Sequence, residues 1–404
     1  MISDFNLKIN NMGPINYADI DIGKINVIGG LNATGKSTAS KLLYCFLKGN
    51  IEDRQEFAYS LISNLIIHIL ISNNYSPMEV FKFSIDELLE YYNELKVNLL
   101  ENSTTSQLNQ IIKIDEILEI IEKNDKNLYE FLFNSLISSE FSSLNSNGNL
   151  CISGVYNNNS FNYDIKLTNN SIDNKSLEGF FSLSNIFYID SFSVLDTKYF
   201  ELNNMKNERS YNLIKSLDED LNESSKLFDD EVNNKIIGTE EKIVNVIKGT
   251  FSFDDDNLYF TNSLGHKTLI EDTSSGIKQI GVIQLLLSFR KLKKNSFLII
   301  DEPEVNLHPN WQISFAEILS ILAKDLNINI YINTHSPMFI EAMSVFSEYY
   351  GLLDETYFYL TEKDDDNGFY FKKIAHNNMG AVYQNLAKPY EILDRIKARL
   401  SEKL

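Results

Sequence analysis

Apolar residues along this chain form two kinds of run. Short, mainly apolar runs at 25–28, 186–189, 296–300 and 328–333 have the length and β-branched content of strands buried on both faces. Residues 150–167 alternate instead, which predicts a hairpin turning at Asn157-Asn158-Asn159. Over 55–140 the spacing becomes helical, with one stripe of Leu88, Leu89, Tyr92, Leu95 and Leu99 and another of Ile114, Ile117, Leu118, Ile120 and Ile121. Only Pro77 interrupts that region, and its heptads are too short and irregular for a long coiled-coil arm. Helical patterns return at 37–47, 200–248, 280–289 and 380–400. Strand and turn patterns flank the acidic turns Asp254-Asp255-Asp256-Asn257, at 251–253 and 258–260, and Asp364-Asp365-Asp366-Asn367, at 357–360 and 369–371. Neither turn has the ligand spacing of a Ca²⁺ loop, so both read as solvated. Strands that alternate with helices in this way predict an α/β fold.

Charge narrows the set of partners. The 404 residues carry 36 basic and 56 acidic side chains, a formal net charge of −20, which argues against a surface built to neutralise phosphates. Direct nucleic acid binding is therefore expected to be weak, and a basic partner protein is the better match. Arg290, Lys291, Lys293 and Lys294, and the C-terminal Arg395, Lys397, Arg399 and Lys403, read as solvated helix ends and faces. Two cysteines, Cys45 and Cys151, form no disulfide framework and fit a reducing cytoplasm. No signal peptide precedes the first strand, and the longest apolar stretch, 61–71, is interrupted by Asn64 and His68 and is too short to cross a bilayer. The expected protein is cytoplasmic, with no membrane contact.

The chemistry is concentrated at the ends of the buried strands. Directly after 25–28 comes Gly30-Leu31-Asn32-Ala33-Thr34-Gly35-Lys36-Ser37, a G-x-x-x-x-G-K-S run followed by Thr38 and a helix. Glycines let such a loop wrap so that backbone N–H groups point at phosphates, the lysine reaches the β and γ phosphates, and the serine hydroxyl holds Mg²⁺. The strand at 296–300 ends in Asp301-Glu302-Pro303, an apolar strand followed by two carboxylates. There Asp301 can steady a Mg²⁺ shell, and Glu302 can orient or deprotonate an attacking water. Between these motifs, Asp272-Thr273-Ser274-Ser275-Gly276-Ile277-Lys278-Gln279 leads into a helix, and the strand at 328–333 closes on Thr334-His335-Ser336-Pro337.

With these pieces the chain resembles the ABC-type ATPases, in the soluble branch that includes OLD-family, RecF-like and SMC-like proteins. The degenerate signature S-S-G-x-x-Q, the stretch D-E-P-E-x-x-L-H-P and the histidine of T-H-S-P carry the resemblance, over roughly 1–50 and 250–345. Residues 9–15 and 18–22 look like the first strands of that branch. The resemblance implies an α/β P-loop ATPase head, with a core at 1–50 and 250–404 and an insertion at 51–249. The insertion is expected to be helical over 55–140, hairpin and strand over 150–190, and helical over 200–248.

The resemblance further implies a homodimer that binds ATP and Mg²⁺ at its interface. Gly30, Asn32, Ala33, Thr34, Gly35, Lys36, Ser37 and Thr38 would hold the nucleotide of one subunit, and Ser274, Ser275 and Gly276 would complete that site from the other. Ser37 and Asp301 would ligate the metal, while Glu302, His335 and Lys36 would act in catalysis, His335 by contacting the γ phosphate. His308 is read as a structural or subunit-contact residue ahead of a helix start at Pro309. The branch usually carries a Q-loop glutamine, but the matching place, after 186–189, holds Asp190-Ser191. Only about seventy residues follow His335, too few for a parallel-sheet nuclease domain. The cellular role implied is the ATPase subunit of a bacterial anti-phage defence system that controls a separate effector, such as a nuclease. The alternative is a RecF-like clamp that binds DNA directly.

Overall fold

The computed structural model describes residues 2–73, 83–102, 105–123, 126–141, 148–156, 158–168, 171–178, 183–190, 230–254, 257–364 and 368–380, with isolated residues at 195–216 and 382–397. The chain divides into two compact units, one of 1–47 and 136–404, the other of Lys48–Ser135.

The larger unit is built on strands β1 (Ile2–Met12), β2 (Ile15–Asp21), β3 (Ile25–Gly29), β4 (Gly148–Tyr156), β5 (Asn159–Thr168), β6 (Ser171–Glu178) and β7 (Ile186–Ile189). It continues with β8 (Gly249–Asp254), β9 (Asn257–Asn262), β10 (Lys267–Leu269), β11 (Phe297–Asp301), β12 (Asn329–Thr334), β13 (Thr356–Lys363) and β14 (Phe369–Ile374). Eleven of these form one sheet in the order β6-β5-β4-β1-β2-β14-β13-β3-β12-β11-β7, and β10-β9-β8 form a second. β6 to β2 pair antiparallel and β13 to β7 run parallel, with β14 between them parallel to β2 and antiparallel to β13. β3 and β7 are buried at every position, as strands covered on both faces are, with Asn26 of β3 satisfied by the Gly23 N–H and the Asp21 carbonyl.

Register decides where chemistry can occur. Gly29 pairs with Thr334, Asn333 with Asp301, and Ile300 with Ile189, so β3, β12, β11 and β7 end together. The next residues are Gly30, His335, Glu302 and Asp190. One edge of the sheet therefore collects four loops from distant parts of the chain, at the carboxyl ends of parallel strands, where ligands bind in α/β folds.

In chain order the helices are α1 (Lys36–Lys48), α2 (Arg54–Ser72), α3 (Ile85–Asn102), α4 (Thr105–Lys123), α5 (Lys126–Glu140), α6 (Asp230–Ile247), α7 (Ser275–Ser288), α8 (Pro309–Asp325) and α9 (Pro337–Tyr349). The last two begin alike. His308 accepts the Asn310 N–H at 3.3 Å and Ser336 accepts the Phe339 N–H at 3.2 Å, each just before a proline whose missing N–H costs a first turn nothing. Ile280, Val282, Ile283, Leu286, Ile318 and Ile340 from these helices bury one core against β3, β11 and β12. Gly281 of α7 makes room for Phe251 of β8, since a Cβ there would come within 2.1 Å of the ring.

The smaller unit is helical. Leu88, Tyr92, Leu95, Ile114, Ile117 and Ile121 are buried in it, and the Tyr92 hydroxyl donates to the Ile111 carbonyl at 3.1 Å. Leu89, Leu118 and Ile120 of the same stripes are half-buried. Its span, Lys48–Ser135, is narrower than the insertion expected at 51–249, because β4, β5 and β7 join the large sheet. Strand β6, which the sequence pattern does not predict, extends the expected hairpin. The helix expected at 200–248 is observed from Asp230, with most of 200–229 outside the described residues, and the helix expected at 380–400 also lies largely outside them. Among the described residues, no helix is long and apolar enough to cross a membrane.

Ile332 is fully buried in the core, so Ile332→Ala should cost about 2–5 kcal/mol through lost contacts and a residual cavity. The control is Val345→Ala on the exposed face of α9, expected to stay within about 0.5 kcal/mol. Urea denaturation followed by tryptophan fluorescence measures both.

Candidate functional site

The loop from Gly30 to Gly35 owes its shape to close approach. A Cβ on Gly30 would lie 1.8 Å from the Thr361 hydroxyl, and one on Gly35, at φ +97°, would lie 2.5 Å from the Ile15 side chain. Ala33 also takes a left-handed φ of 61°, unusual for a residue with a side chain. The Thr34 hydroxyl donates to the Leu31 carbonyl at 2.8 Å and accepts from Thr361 at 2.7 Å, which pins the loop to β13. Leu31, Asn32 and Ala33 are exposed at its crest, while Ser37 and Thr38 are half-buried in the first turn of α1. Lys36 lies back over the loop, and its Nζ donates to the carbonyls of Gly30 at 3.0 Å and Leu31 at 2.7 Å. Burial lowers the lysine pKa, opposed by the charges of Asp301, Glu302 and Glu304. That places Lys36 in the electrostatic field of the carboxylates at the neighbouring strand tips.

A buried hydrogen-bond chain joins those tips to α1. Asn333 Nδ2 donates to the Ser40 hydroxyl at 2.8 Å, Ser40 meets the Tyr188 hydroxyl at 2.8 Å, and Tyr188 donates to Asp301 Oδ2 at 3.3 Å. Burial, and then the Asp301 charge, push the Tyr188 phenol well above its ordinary value, so it remains the donor in this chain. The other oxygen, Asp301 Oδ1, is buried with no hydrogen-bond partner among the described residues. A bare carboxylate oxygen there fits a hard divalent cation, the ligand chemistry of Mg²⁺.

Glu302 follows at φ 55°, its N–H bonded to the Asn333 carbonyl at 2.8 Å. Its carboxylate lies 3.6 Å from His335 Nδ1. Closer to that ring is Glu304, whose Oε1 is 3.1 Å from Nδ1 and accepts the backbone N–H groups of His335 at 2.8 Å and Ser336 at 3.1 Å. The D-E-P-E run is visible in the sequence, but nothing in its spacing shows that the second glutamate is the buried one. Tyr188, Ser40, Asn333 and Thr361 were likewise invisible, since each acts through a contact with a distant segment.

Ser274, Ser275 and Gly276 form the start of α7. Ser274 is exposed and makes no side-chain cap, whereas Gly276 is buried with room for no Cβ, which would come within 2.8 Å of the Asn306 carbonyl. This helix start therefore packs on the loop that follows Asp301 and Glu302, with its first N–H groups free of a side-chain acceptor. No hydrogen bond joins these three residues to the Gly30–Thr38 loop among the described residues. Asp190, at the expected Q-loop place, accepts from Arg209 Nη1 at 2.7 Å, and Arg209 also pairs with the buried Glu140 and stacks 4.4 Å over the Tyr188 ring. Ser191 lies outside the described residues.

Residues 5–340 match the family model described as AAA ATPase domain. Comparison with curated proteins finds no match. Among solved structures, the SMC head domain from Thermotoga maritima is 10% identical with a TM-score of 0.44, covering 93% of this chain and 99% of that one. The Smc head domain with an extended coiled coil bound to the C-terminal domain of ScpA, from Pyrococcus furiosus, is 12% identical with the same TM-score of 0.44, covering 98% of this chain and 99% of that one.

The cradle leaves no space at Gly30. Gly30→Ala should weaken binding of a nucleoside triphosphate by about tenfold or more, as expected for a displaced loop. Isothermal titration calorimetry checks this, with circular dichroism to confirm that the variant is folded.

Proposed function

The chain belongs to the AAA ATPase domain family and hydrolyses ATP, and on that premise we propose that its strand-tip edge binds MgATP and that two copies close over it. The carrying observation is the shared end of β3, β11 and β12, which sets Lys36 in the field of Asp301, Glu302 and Glu304. In this reading the loop N–H groups and Lys36 hold the phosphates, with Lys36 exchanging its two carbonyl partners for phosphate oxygens. Asn32, Ala33 and Thr34 line the crest, and Thr38 completes the turn. Ser37 and Asp301 hold Mg²⁺, which supplies charge neutralisation to the phosphates when bound. Glu302 orients or deprotonates water, and His335 meets the terminal phosphate.

The dimer is supported by the signature segment. Ser274 and Ser275 stand open at the start of α7, where helix N–H groups and dipole suit an anion, yet they make no hydrogen bond to the loop of their own chain. A second copy's nucleotide is the natural recipient. The acidic balance, −20 overall, favours a protein effector over DNA. We place the chain as the ATPase and sensor subunit of an anti-phage defence system, with a separate effector such as a nuclease. This rests on the resemblance in its signature, D-E-P-E and T-H-S-P segments.

Glu302→Gln should lower kcat by about a hundredfold or more while the ATP dissociation constant stays within about threefold, since a water-orienting carboxylate acts in the transition state. Rapid-quench kinetics and calorimetry read the two quantities, and unaltered turnover would remove Glu302 from catalysis. Complementation tests the dimer. A Lys36→Ala chain mixed with a Gly276→Asp chain should regain activity that neither has alone, because one composite site stays intact. No recovery in demonstrated heterodimers would contradict the shared site.

A further inference from the structure

Glu304 sits where one carboxylate oxygen meets both the backbone and the ring edge of His335. Its side chain is 5% exposed, against 41% for Glu302 and 43% for His335, so it forms the buried base from which the other two groups reach outward. One oxygen, Oε1, accepts the N–H groups of His335 and Ser336 at 2.8 and 3.1 Å, and the same oxygen lies 3.1 Å from the imidazole Nδ1. The backbone bonds alone would cap the turn between β12 and α9, but that turn already has other supports. Thr334 Oγ1 accepts the Ser336 N–H at 3.0 Å, and the Ser336 hydroxyl bonds Gln312 at 3.2 Å and caps α9. A carboxylate used only as a cap would not need the ring nitrogen as well. The loop is shaped for the purpose: Glu302 at φ 55° and the turn bond from Val305 N–H to the Glu302 carbonyl at 3.1 Å bring residues two apart, 302 and 304, to the same imidazole edge.

We propose that Glu304 is a positioning residue that keeps His335 Nδ1 protonated and facing inward, so that Nε2 is aimed at the terminal phosphate of the nucleotide. The ring makes that contact with both nitrogens protonated, because a phosphate oxygen only accepts and Nε2 must donate to it. The proposal rests on the reading of His335 as a phosphate contact. The physical basis is general: the hydrogen bond made by one ring nitrogen sets what the other can do. A carboxylate accepts only, so the nitrogen beside it must be the donor. Freed from Glu304, the ring could turn or change tautomer, and a misplacement of about 1 Å in such a site costs roughly a hundredfold in rate.

The test combines ¹⁵N NMR of the histidine ring in the full chain with a double-mutant cycle. Where the ring is neutral, the spectrum of the parent should show His335 as the Nδ1–H tautomer, and Glu304→Ala should shift it toward Nε2–H. In the same variant kcat should fall by roughly a hundredfold, with KM for ATP within about threefold. In a His335→Ala background, adding Glu304→Ala should cost less than about threefold more, because the two act as one unit. A folded Glu304→Ala chain that keeps the parent tautomer, or losses that multiply fully in the cycle, would overturn the proposal. If Glu304→Ala does not fold, Glu304→Gln decides. Its amide oxygen can still accept from Nδ1–H, so the tautomer should persist and kcat should stay within about tenfold of the parent, and loss of the tautomer in that variant overturns the assignment. Unchanged turnover in His335→Ala alone would instead refute the role of His335, while the NMR result would still decide what Glu304 does.

Discussion

The Tyr188 hydroxyl is the point on which the strand-tip site depends. It lies in a buried chain running from Asn333 through Ser40 to Asp301, so one phenol connects β7, β11, β12 and the helix that follows the phosphate-type loop. Buried polar groups of this kind are stabilising only when all are paired, and losing one partner costs about 1–3 kcal/mol per orphaned group. The chain therefore demands a single relative placement of four segments. Among the described residues, one oxygen of Asp301 and the Oδ1 of Asn333 stay buried with no hydrogen-bond partner.

The parallel register turns this local constraint into a site. Because β3, β12, β11 and β7 end together, the residues that follow them are neighbours although they lie as far apart in the chain as Gly30 and His335. Two residues at this edge take left-handed backbone conformations, Ala33 at φ 61° and Glu302 at φ 55°. The hydrogen bond of Thr34 to Thr361 and the closeness of Gly30 to the same threonine fix the loop from the β13 side. The surrounding structure fixes the loop, and the loop's own Gly30 and Leu31 carbonyls hold Lys36.

Much of this fold was legible in the sequence. Mainly apolar runs such as 25–28 and 296–300 need two covered faces, which parallel strands under helices supply. The glycine and carboxylate motifs were legible because the backbone geometry of a phosphate loop restricts which residues can form it. Tyr188 and Glu304 were not, since a buried tyrosine in an apolar run looks like core and the second acid of D-E-P-E looks like surface. Their meaning comes from partners 113 and 31 residues away. The limits of the helical unit were equally hidden: the residues of β4 and β5 alternate as any hairpin does, and pairing with β1, which draws them into the large sheet, has no local signature.

The most direct test concerns the bare oxygen of Asp301, on which the assignment of a metal and nucleotide site at this edge depends. Mn²⁺ can replace Mg²⁺ and be followed by electron paramagnetic resonance in the presence of a non-hydrolysable ATP analogue. The parent chain should bind Mn²⁺ together with the analogue, with hyperfine coupling to phosphorus, and a folded Asp301→Asn chain should bind it about tenfold or more weakly. Equal Mn²⁺ affinity and the same phosphorus coupling in Asp301→Asn would contradict it and place the metal elsewhere.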